Sequence, residues 1–201
     1  LESTGSAVTV HGMNACLGKI LGCPQLVELD LSFNNIGDNG AEQIADALKE
    51  NHHLQGLNLR GNNIGADGAK QITDALKVNS ILKTLDLSYN NIGDDGANQI
   101  ADALKGNHSL DSLMLNSNNI GNYGAKKLAD ALKVNKSLKT LDLMKNNIGD
   151  DGARKIADVL RVNHSLETLY LMKNKICTDG EEYLTKLKLE LNDVFRDIRW
   201  V

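Results

Sequence analysis

Three histidines occupy equivalent positions in the chain and are the first residues to consider as metal ligands. His52, His108 and His164 recur at intervals of 56 residues. In a chain that repeats every 28 residues, as described below, successive members lie two layers, or about 10 Å, apart. One metal ion cannot bridge that distance, because zinc ligands lie about 2 Å from the metal. We therefore expect no metal site and no cofactor.

The same test applied to catalysis finds no nucleophile beside a base. Asp30, Asn58 and Asp86 align on one predicted surface, but that surface carries no histidine to activate a nucleophile. Glycine pairs such as Gly93 and Gly96 have the wrong spacing for a phosphate-binding loop. They recur along the chain, which favours a turn that needs positive φ or close approach. We expect a protein that is not an enzyme.

A 28-residue repeat accounts for most of the sequence. Its opening leucine appears six times, at Leu26, Leu54, Leu82, Leu110, Leu138 and Leu166. Sustained periods of this length are typical of solenoids, in which each unit buries its apolar face only against its neighbours.

Each repeat reads as a strand followed by a helix. Leu85 and Leu87 alternate with polar residues, whereas Ala97, Ile100 and Leu104 recur at helical spacing. Consecutive strands must then run parallel, in an α/β fold that is a right-handed β-α solenoid. Because helices are wider than strands, the stack must curve into a horseshoe arc. The parallel sheet lines its concave face and the helices its convex face.

The motif LxxLxLxxNxI, which begins at Leu26 and returns in every unit, resembles the leucine-rich repeat family. The longer tail NNIGxxGAxxIADAL is similar to the ribonuclease-inhibitor-like branch of that family. This branch includes ribonuclease inhibitors, Ran GTPase-activating proteins and the repeat domains of NOD-like receptors. The resemblance implies that the recurring asparagine of the motif bonds to backbone groups of neighbouring turns. That column is Asn34, Asn62, Asn90, Asn118, Asn146 and Asn174.

The two ends depart from the repeat and predict caps on one continuous domain. Residues 1–25 read as a degenerate half-repeat with Met13, Cys16 and Ile20 in core positions, and 26–177 are the repeats. Residues 178–201 read as a capping helix whose apolar stripe continues to Ile198. We expect the helix columns of aspartate and of lysine or arginine to form surface pairs three residues apart. The column pairs are Asp46–Lys49, Asp74–Lys77, Asp102–Lys105, Asp130–Lys133 and Asp158–Arg161.

Composition favours a cytoplasmic monomer. The net charge of -4, without a basic stripe, argues against nucleic acid, and no long apolar run suggests a membrane span. Three cysteines, Cys16, Cys23 and Cys177, are too few to indicate a disulfide framework. Glycosylation sequons begin at Asn107, Asn135 and Asn163, but these asparagines share one repeat position and are expected to be structural.

Variation between repeats is concentrated on the concave face, where the repeat imposes nothing. Met114, Met144, Tyr170 and Met172 predict an apolar patch rimmed by lysines, either an interface or packed on itself and on the terminal cap. The N-terminal half of the face is the more acidic. The candidate partner-binding residues are Phe33, Arg60, Tyr89, Met114, Asn116, Asp142, Met144, Lys145, Tyr170, Met172 and Lys173.

These residues favour a protein-interaction module, an intracellular scaffold or sensor segment that holds a protein or peptide on the concave face. The family resemblance also permits a regulator of a small GTPase. Arg60 is the single concave arginine, and nothing in its surroundings marks it as a catalytic finger. A ribonuclease inhibitor is a further possibility, although a basic target would prefer a more acidic face.

Overall fold

A computed structural model describes residues 25–191 and 197–199. Strands and helices alternate throughout, as the sequence predicted. The strands are β1 (Glu28–Asp30), β2 (Gly56–Asn58), β3 (Thr84–Asp86), β4 (Ser112–Met114), β5 (Thr140–Asp142), β6 (Thr168–Tyr170) and β7 (Asp197–Arg199). The helices are α1 (Gly37–Glu50), α2 (Ala66–Leu76), α3 (Gly93–Gly106), α4 (Asn122–Leu132), α5 (Asp150–Val159) and α6 (Thr178–Leu191). The proposed N-terminal half-repeat, with Met13, Cys16 and Ile20, and also Cys23, lies outside the described residues.

The described strands form one parallel sheet in sequence order, from β1 to β7. The register advances by one repeat per strand, so that Leu57 pairs with Leu85 and Leu85 with Leu113. These leucines are buried beneath the helices, and each contributes on the order of 1.5 to 3 kcal/mol of burial. The chain is thus the β-α solenoid predicted from the repeat, with the sheet on the concave face.

Each repeat helix buries one apolar stripe and exposes the other side to solvent. In α3 the buried positions include Ala97, Ile100 and Leu104, while Asp102 and Lys105 pair on the surface at 2.7 Å. Matching pairs join Asp46 to Lys49, Asp74 to Lys77 and Asp130 to Lys133. None of the described helices is long and apolar enough to cross a membrane.

The asparagine column of the motif connects adjacent repeats as the resemblance implied. The Asn62 side-chain oxygen accepts hydrogen bonds from the backbone N–H groups of Asn34 and Ile36, at 2.8 and 3.3 Å. Its amide nitrogen donates to the Leu31 carbonyl at 2.8 Å. Since Asn62 is fully buried, these bonds satisfy backbone groups that water cannot reach.

A second asparagine column also satisfies buried backbone groups, at the point where each helix ends. This column contains the three sequons. Asn135 donates to the backbone oxygens of Leu104 and Asn107, at 2.8 and 2.9 Å, and accepts from the Leu138 N–H. Asn107, Asn135 and Asn163 are all buried. Their amides are therefore structural, as expected from their shared repeat position.

The starts of α2, α4 and α5 are capped by a side chain from the preceding repeat. Asp94, in the first turn of α3, accepts hydrogen bonds from Gly121 and Gly124 at the start of α4, at 2.7 and 2.8 Å. Asp38 caps α2 and Asn122 caps α5 in the same way. The first N–H groups of a helix have no partner within it, so these oxygens fasten one repeat to the next.

The glycines of these turns show both properties expected from the sequence, close approach to a neighbour and positive φ. A Cβ at Gly124 would lie 2.8 Å from Ala97 Cβ, so this glycine permits close packing of α4 on α3. Gly93 instead has a φ of +62° and donates to the Asn118 carbonyl. Ala66 holds the position equivalent to Asp94 in the repeat before α3, and it has no side-chain oxygen that could cap α3. Helix α3 also begins one residue earlier in its repeat than α4 does.

At the C-terminal end the prediction of a helix reaching Ile198 is wrong. Helix α6 ends at Leu191, and Asp197–Arg199 forms strand β7. The Leu171 N–H donates to the Arg199 carbonyl at 2.7 Å, which supplies partners along the edge of β6 that a helix would leave open. The buried stripe of α6 retains Leu184 and Leu187, whereas Val194 lies outside the described residues.

The fifth surface pair also differs from the expectation. Arg161 pairs with Glu190 of α6 at 2.7 Å, and Asp158 accepts a hydrogen bond from the Tyr183 hydroxyl. Helix α6 thus takes both partners of the expected Asp158–Arg161 pair. The difference follows from the sequence of α6, which carries Tyr183 and Glu190 where the preceding repeat has Lys155 and Val162.

Candidate functional site

The variable residues of the concave face lie in register along the sheet. Asp30 pairs with Asn58, Asn58 with Asp86, Asp86 with Met114, Met114 with Asp142 and Asp142 with Tyr170. The polar members of this row have a structural task, because each accepts a hydrogen bond from the backbone N–H two residues ahead. The four bonds measure 2.8 Å at Asp30, 3.0 Å at Asn58, 2.7 Å at Asp86 and 2.8 Å at Asp142.

Two candidate binding residues, Asn116 and Asp142, form a buried polar cluster with Ser88. The Asn116 amide donates to the Ser88 hydroxyl at 2.8 Å and to the Asp142 carboxylate at 3.0 Å. Burial raises the pKa of Asp142, although its hydrogen bonds from Met144 and Asn116 oppose that rise. The side chains of Asn116 and Asp142 are therefore hydrogen-bonded within the protein and offer little surface to a partner.

The predicted apolar patch is half-buried. Met114, Met144 and Met172 are each partly covered. The Tyr170 hydroxyl donates to Asp197 at 2.9 Å, which raises the pKa of Tyr170, and Arg199 lies 5.6 Å from the centre of its ring. Strand β7 thus covers the tyrosine, and the patch is less open than a row of outward side chains would be.

The largest exposed side chains of the face lie one row further on, just beyond the strands. Phe33 is 67% exposed and Tyr89 is 39% exposed. Their row, which also holds Gly61, Ser117, Lys145 and Lys173, has left-handed backbone throughout, with φ between 51° and 65°. Glycine adopts this conformation freely, whereas bulky residues rarely do. The aromatic residues therefore occupy positions that the backbone would prefer to give to glycine.

Three members of this row and Arg60, one position earlier in its repeat, form a continuous stack that we call the aromatic–cation row: Phe33, Arg60, Tyr89 and Lys145. The Arg60 guanidinium carbon lies 5.8 Å from the Phe33 ring centre and 4.2 Å from that of Tyr89. Lys145 Nζ lies 5.5 Å from the Tyr89 ring centre and donates to its hydroxyl at 3.0 Å. That hydrogen bond, together with one involving Ser117, lowers the pKa of Tyr89.

Small residues allow the stack to lie along the array. A Cβ at Gly61 would be 2.5 Å from the Phe33 ring, so the ring occupies the space that a side chain would need. Ser117 stands between Tyr89 and Lys145 in the same row. Every member of the stack is among the candidate residues predicted from the sequence, although the predicted apolar patch consisted of the methionines and Tyr170. The signal that could have indicated the stack is the alternation of large and small residues in the row.

The histidines and cysteine considered as ligands or reactive groups do not come together in a site within the described residues. Within residues 25–191 and 197–199, no three histidine, cysteine or acidic side chains come close enough to hold a metal ion. His52, His108 and His164 are exposed, as is the free thiol of Cys177. A separate row of exposed valines, Val78, Val134 and Val162, follows the helix ends, beside an open depression of about 240 Å³ at Gly106.

The repeat pattern matches a known family model. The model described as leucine-rich repeat matches residues 22–45, 50–72, 78–101, 106–129 and 134–157, which together make up more than half of the chain. The chain belongs to the leucine-rich repeat family. The ribonuclease-inhibitor-like branch named from the motif is consistent with this match and with the strand–helix repeats. A comparison with curated proteins finds no match.

Two solved leucine-rich repeat structures of similar fold cover most of the chain. Leiomodin-1 actin-binding site 2 is 21% identical, with a TM-score of 0.59, over 87% of this chain and 86% of its own. The tropomodulin C-terminal domain of Caenorhabditis elegans is 12% identical, with a TM-score of 0.53, over 91% of this chain and 96% of its own. At these identities the likeness establishes the shared fold.

Proposed function

We propose that this leucine-rich repeat protein is a non-enzymatic module that binds a protein or peptide on its concave face. The observation that carries the proposal is the exposure of Phe33 and Tyr89 in left-handed backbone. A non-glycine residue in this conformation costs about 1 kcal/mol or more. Gly61 occupies the same repeat position and relieves that cost. Two exposed aromatic rings at such positions suit contact with a partner better than they suit the fold.

The dimensions of the face support this function. The seven described strands, spaced about 4.8 Å apart, give a surface nearly 30 Å long, enough for roughly 800 Å² on each side of a standard interface. Aromatic residues and arginine are enriched at the centres of such interfaces. The similar leiomodin-1 structure is itself an actin-binding site, which agrees with a protein partner for this chain without identifying one.

The surroundings of Arg60 favour binding over regulation of a GTPase. An arginine that acts in catalysis must reach into the active site of the other protein, whereas Arg60 packs between two rings of its own chain. We further propose a cytoplasmic monomer that does not bind nucleic acid or membranes. Burial of the three sequon asparagines is consistent with a compartment that lacks glycosylation.

The test compares capture of proteins from cytosolic lysate by the unaltered chain and by two variants. The concave variant carries Phe33→Gly, Tyr89→Gly and Met144→Glu. The matched convex variant carries Val78→Glu, Val134→Glu and Val162→Glu, which alter exposed apolar residues at the helix ends. Mass spectrometry should find a protein retained by the unaltered chain and the convex variant but lost by the concave variant. Loss by the convex variant alone would contradict the proposal.

A further inference from the structure

Three cations of the concave face, Arg60, Lys145 and Lys173, form no ion pair with a described residue, although the charge of Arg60 acts on Asp142 at longer range. Several lysines on the helices do pair with carboxylates, as Lys105 does with Asp102 and Lys133 with Asp130. Among the described residues, no carboxylate lies within ion-pair distance of Arg60, Lys145 or Lys173. All three lie just beyond the strand ends, and two of them, Arg60 and Lys145, meet at the ring of Tyr89 in the aromatic–cation row.

Arg60 is held in place but keeps its hydrogen-bond donors available. Its guanidinium is half-buried between the rings of Phe33 and Tyr89, and none of its side-chain N–H groups donates to an acceptor within the described part of the chain. Ring stacking restricts the side chain without using the N–H edge. A guanidinium fixed in this way matches a carboxylate, because the two groups form paired hydrogen bonds in one plane.

The carboxylates of the face are arranged differently. Asp30 and Asp142 each use one oxygen to accept a backbone N–H two residues ahead, and Asp142 is buried. They lie in the strands, whereas Lys145 and Lys173 lie beyond them. The face is thus acidic along the strands and basic at their C-terminal ends. A partner of negative charge fits the basic side.

We propose that the aromatic–cation row binds an extended acidic peptide segment of a protein partner, an inference that rests on the proposed function. Carboxylates of the segment bond to Arg60 and Lys145, and an aromatic side chain packs on the exposed ring of Phe33. Both cationic groups lie within 5.5 Å of the Tyr89 ring centre. In an extended chain, alternate side chains share one face and are about 6.7 Å apart. Two acidic residues two positions apart therefore suit this pair of cations.

The test uses fluorescein-labelled nine-residue peptides and the full chain. The probe carries two glutamates two positions apart and a phenylalanine two positions before the first. Matched peptides replace the glutamates with glutamine or the phenylalanine with alanine. Anisotropy should show saturable binding of the probe that weakens with added salt, and at least about ten-fold weaker binding of the glutamine peptide.

Variants of the protein locate the binding. Arg60→Gln should weaken binding of the probe at least about ten-fold, and Phe33→Gly should remove the preference for phenylalanine over alanine. Lys186→Gln, on an exposed lysine of α6, changes the net charge equally and should leave binding unaltered. Circular dichroism and thermal unfolding of each variant establish that it is folded.

The outcomes separate this inference from the proposed function. Equal binding of the glutamate and glutamine peptides, undiminished binding by Arg60→Gln, or absence of binding would overturn the acidic-peptide inference. If the concave variant still loses a captured protein, the proposed function stands with a different partner chemistry. If capture does not depend on the concave face, the proposed function fails whatever the peptides do.

Discussion

The ring of Phe33 lies over Gly61, so close that a Cβ on the glycine would be 2.5 Å from a ring carbon. The two residues hold the same position in neighbouring repeats, and both have positive φ. One supplies a large exposed side chain and the other the space for it. The pair shows how a regular solenoid carries an irregular surface.

The backbone strain at Phe33 can be measured apart from its side-chain contacts. Phe33→Gly and Phe33→Ala both remove the ring, but only glycine adopts left-handed backbone freely. We expect the glycine variant to have a free energy of unfolding about 1 kcal/mol higher than the alanine variant, measured by urea denaturation. At Ser32, where φ is not positive, the order should reverse, with glycine the less stable. The same order at both positions would contradict the strain.

Removal of one asparagine from the motif column should leave backbone groups in two repeats without hydrogen-bond partners. Asn62→Ala leaves the buried N–H groups of Asn34 and Ile36 without this acceptor. We expect the free energy of unfolding to fall by about 1 to 3 kcal/mol. Asn147→Ala, on an exposed asparagine, is the control and should change stability by less than about 0.5 kcal/mol. A similar loss of unfolding free energy in both variants would argue against a stabilising role for the asparagine column.

The cap supplied across repeats predicts that a mutation in one helix destabilises the next. Asp94→Ala removes the acceptor of the Gly121 and Gly124 N–H groups and should lower the free energy of unfolding by about 1 kcal/mol. Hydrogen exchange should speed up at the start of α4. Asp95→Ala, the exposed neighbour in the same turn, should not speed exchange in α4. Faster exchange confined to α3 would show that Asp94 serves its own helix instead.

Ionisation of Asp142 should lower the free energy of unfolding as pH rises, which is the opposite of the usual effect of an aspartate. Because burial raises its pKa in the folded protein, the unfolded chain releases this proton first as pH rises. The ionised residue then destabilises the fold, fully so above the raised pKa. We expect Asp142→Asn to be more stable than the unaltered chain at neutral pH. The difference should vanish below the usual value near 3.8. Urea denaturation across this pH range measures it.

Asp30 is the matched comparison in the same row of the concave face. Partial burial would raise the pKa of Asp30, but hydrogen bonds from the side chain and backbone of Ser32 and from Asn58 lower it overall. Its carboxylate therefore adds stability that is present above the usual pKa and is lost as pH falls through the lowered one. Asp30→Asn should decrease stability at neutral pH. A shift of the same sign for both variants would contradict these opposite environments.

Residues with a repeated role were predictable from the sequence, because each appears several times in the same surroundings. The leucines, the motif asparagines and the sequon asparagines are of this kind. Strand β7 was not predictable, since Leu187, Leu191 and Ile198 carry helical spacing and a three-residue strand has no period of its own. Its position depends on the open edge of β6, which is a feature of the folded sheet alone.

The residues of the aromatic–cation row were all among the candidates named from the sequence, but their arrangement was not predicted. Outward positions on the strands identify Asn116 and Phe33 equally well. Only the folded structure places the Asn116 amide between Ser88 and Asp142 while it leaves Phe33 exposed. Stacking of Arg60 and Lys145 on Tyr89 likewise depends on side-chain directions, which the repeat spacing does not determine.

Where a helix is capped by the repeat before it, the capping gives the array a direction. A repeat copied from the unit containing Asp94 would carry a ready acceptor for whatever helix is placed after it. A copy of the unit containing Ala66 would not, and the helix after it would need a glycine of positive φ like Gly93. If this protein is lengthened by tandem duplication, the choice of the duplicated repeat therefore decides whether the next helix is capped. Repeats that bear aspartate or asparagine at this position are the ones that can be extended towards the C-terminus.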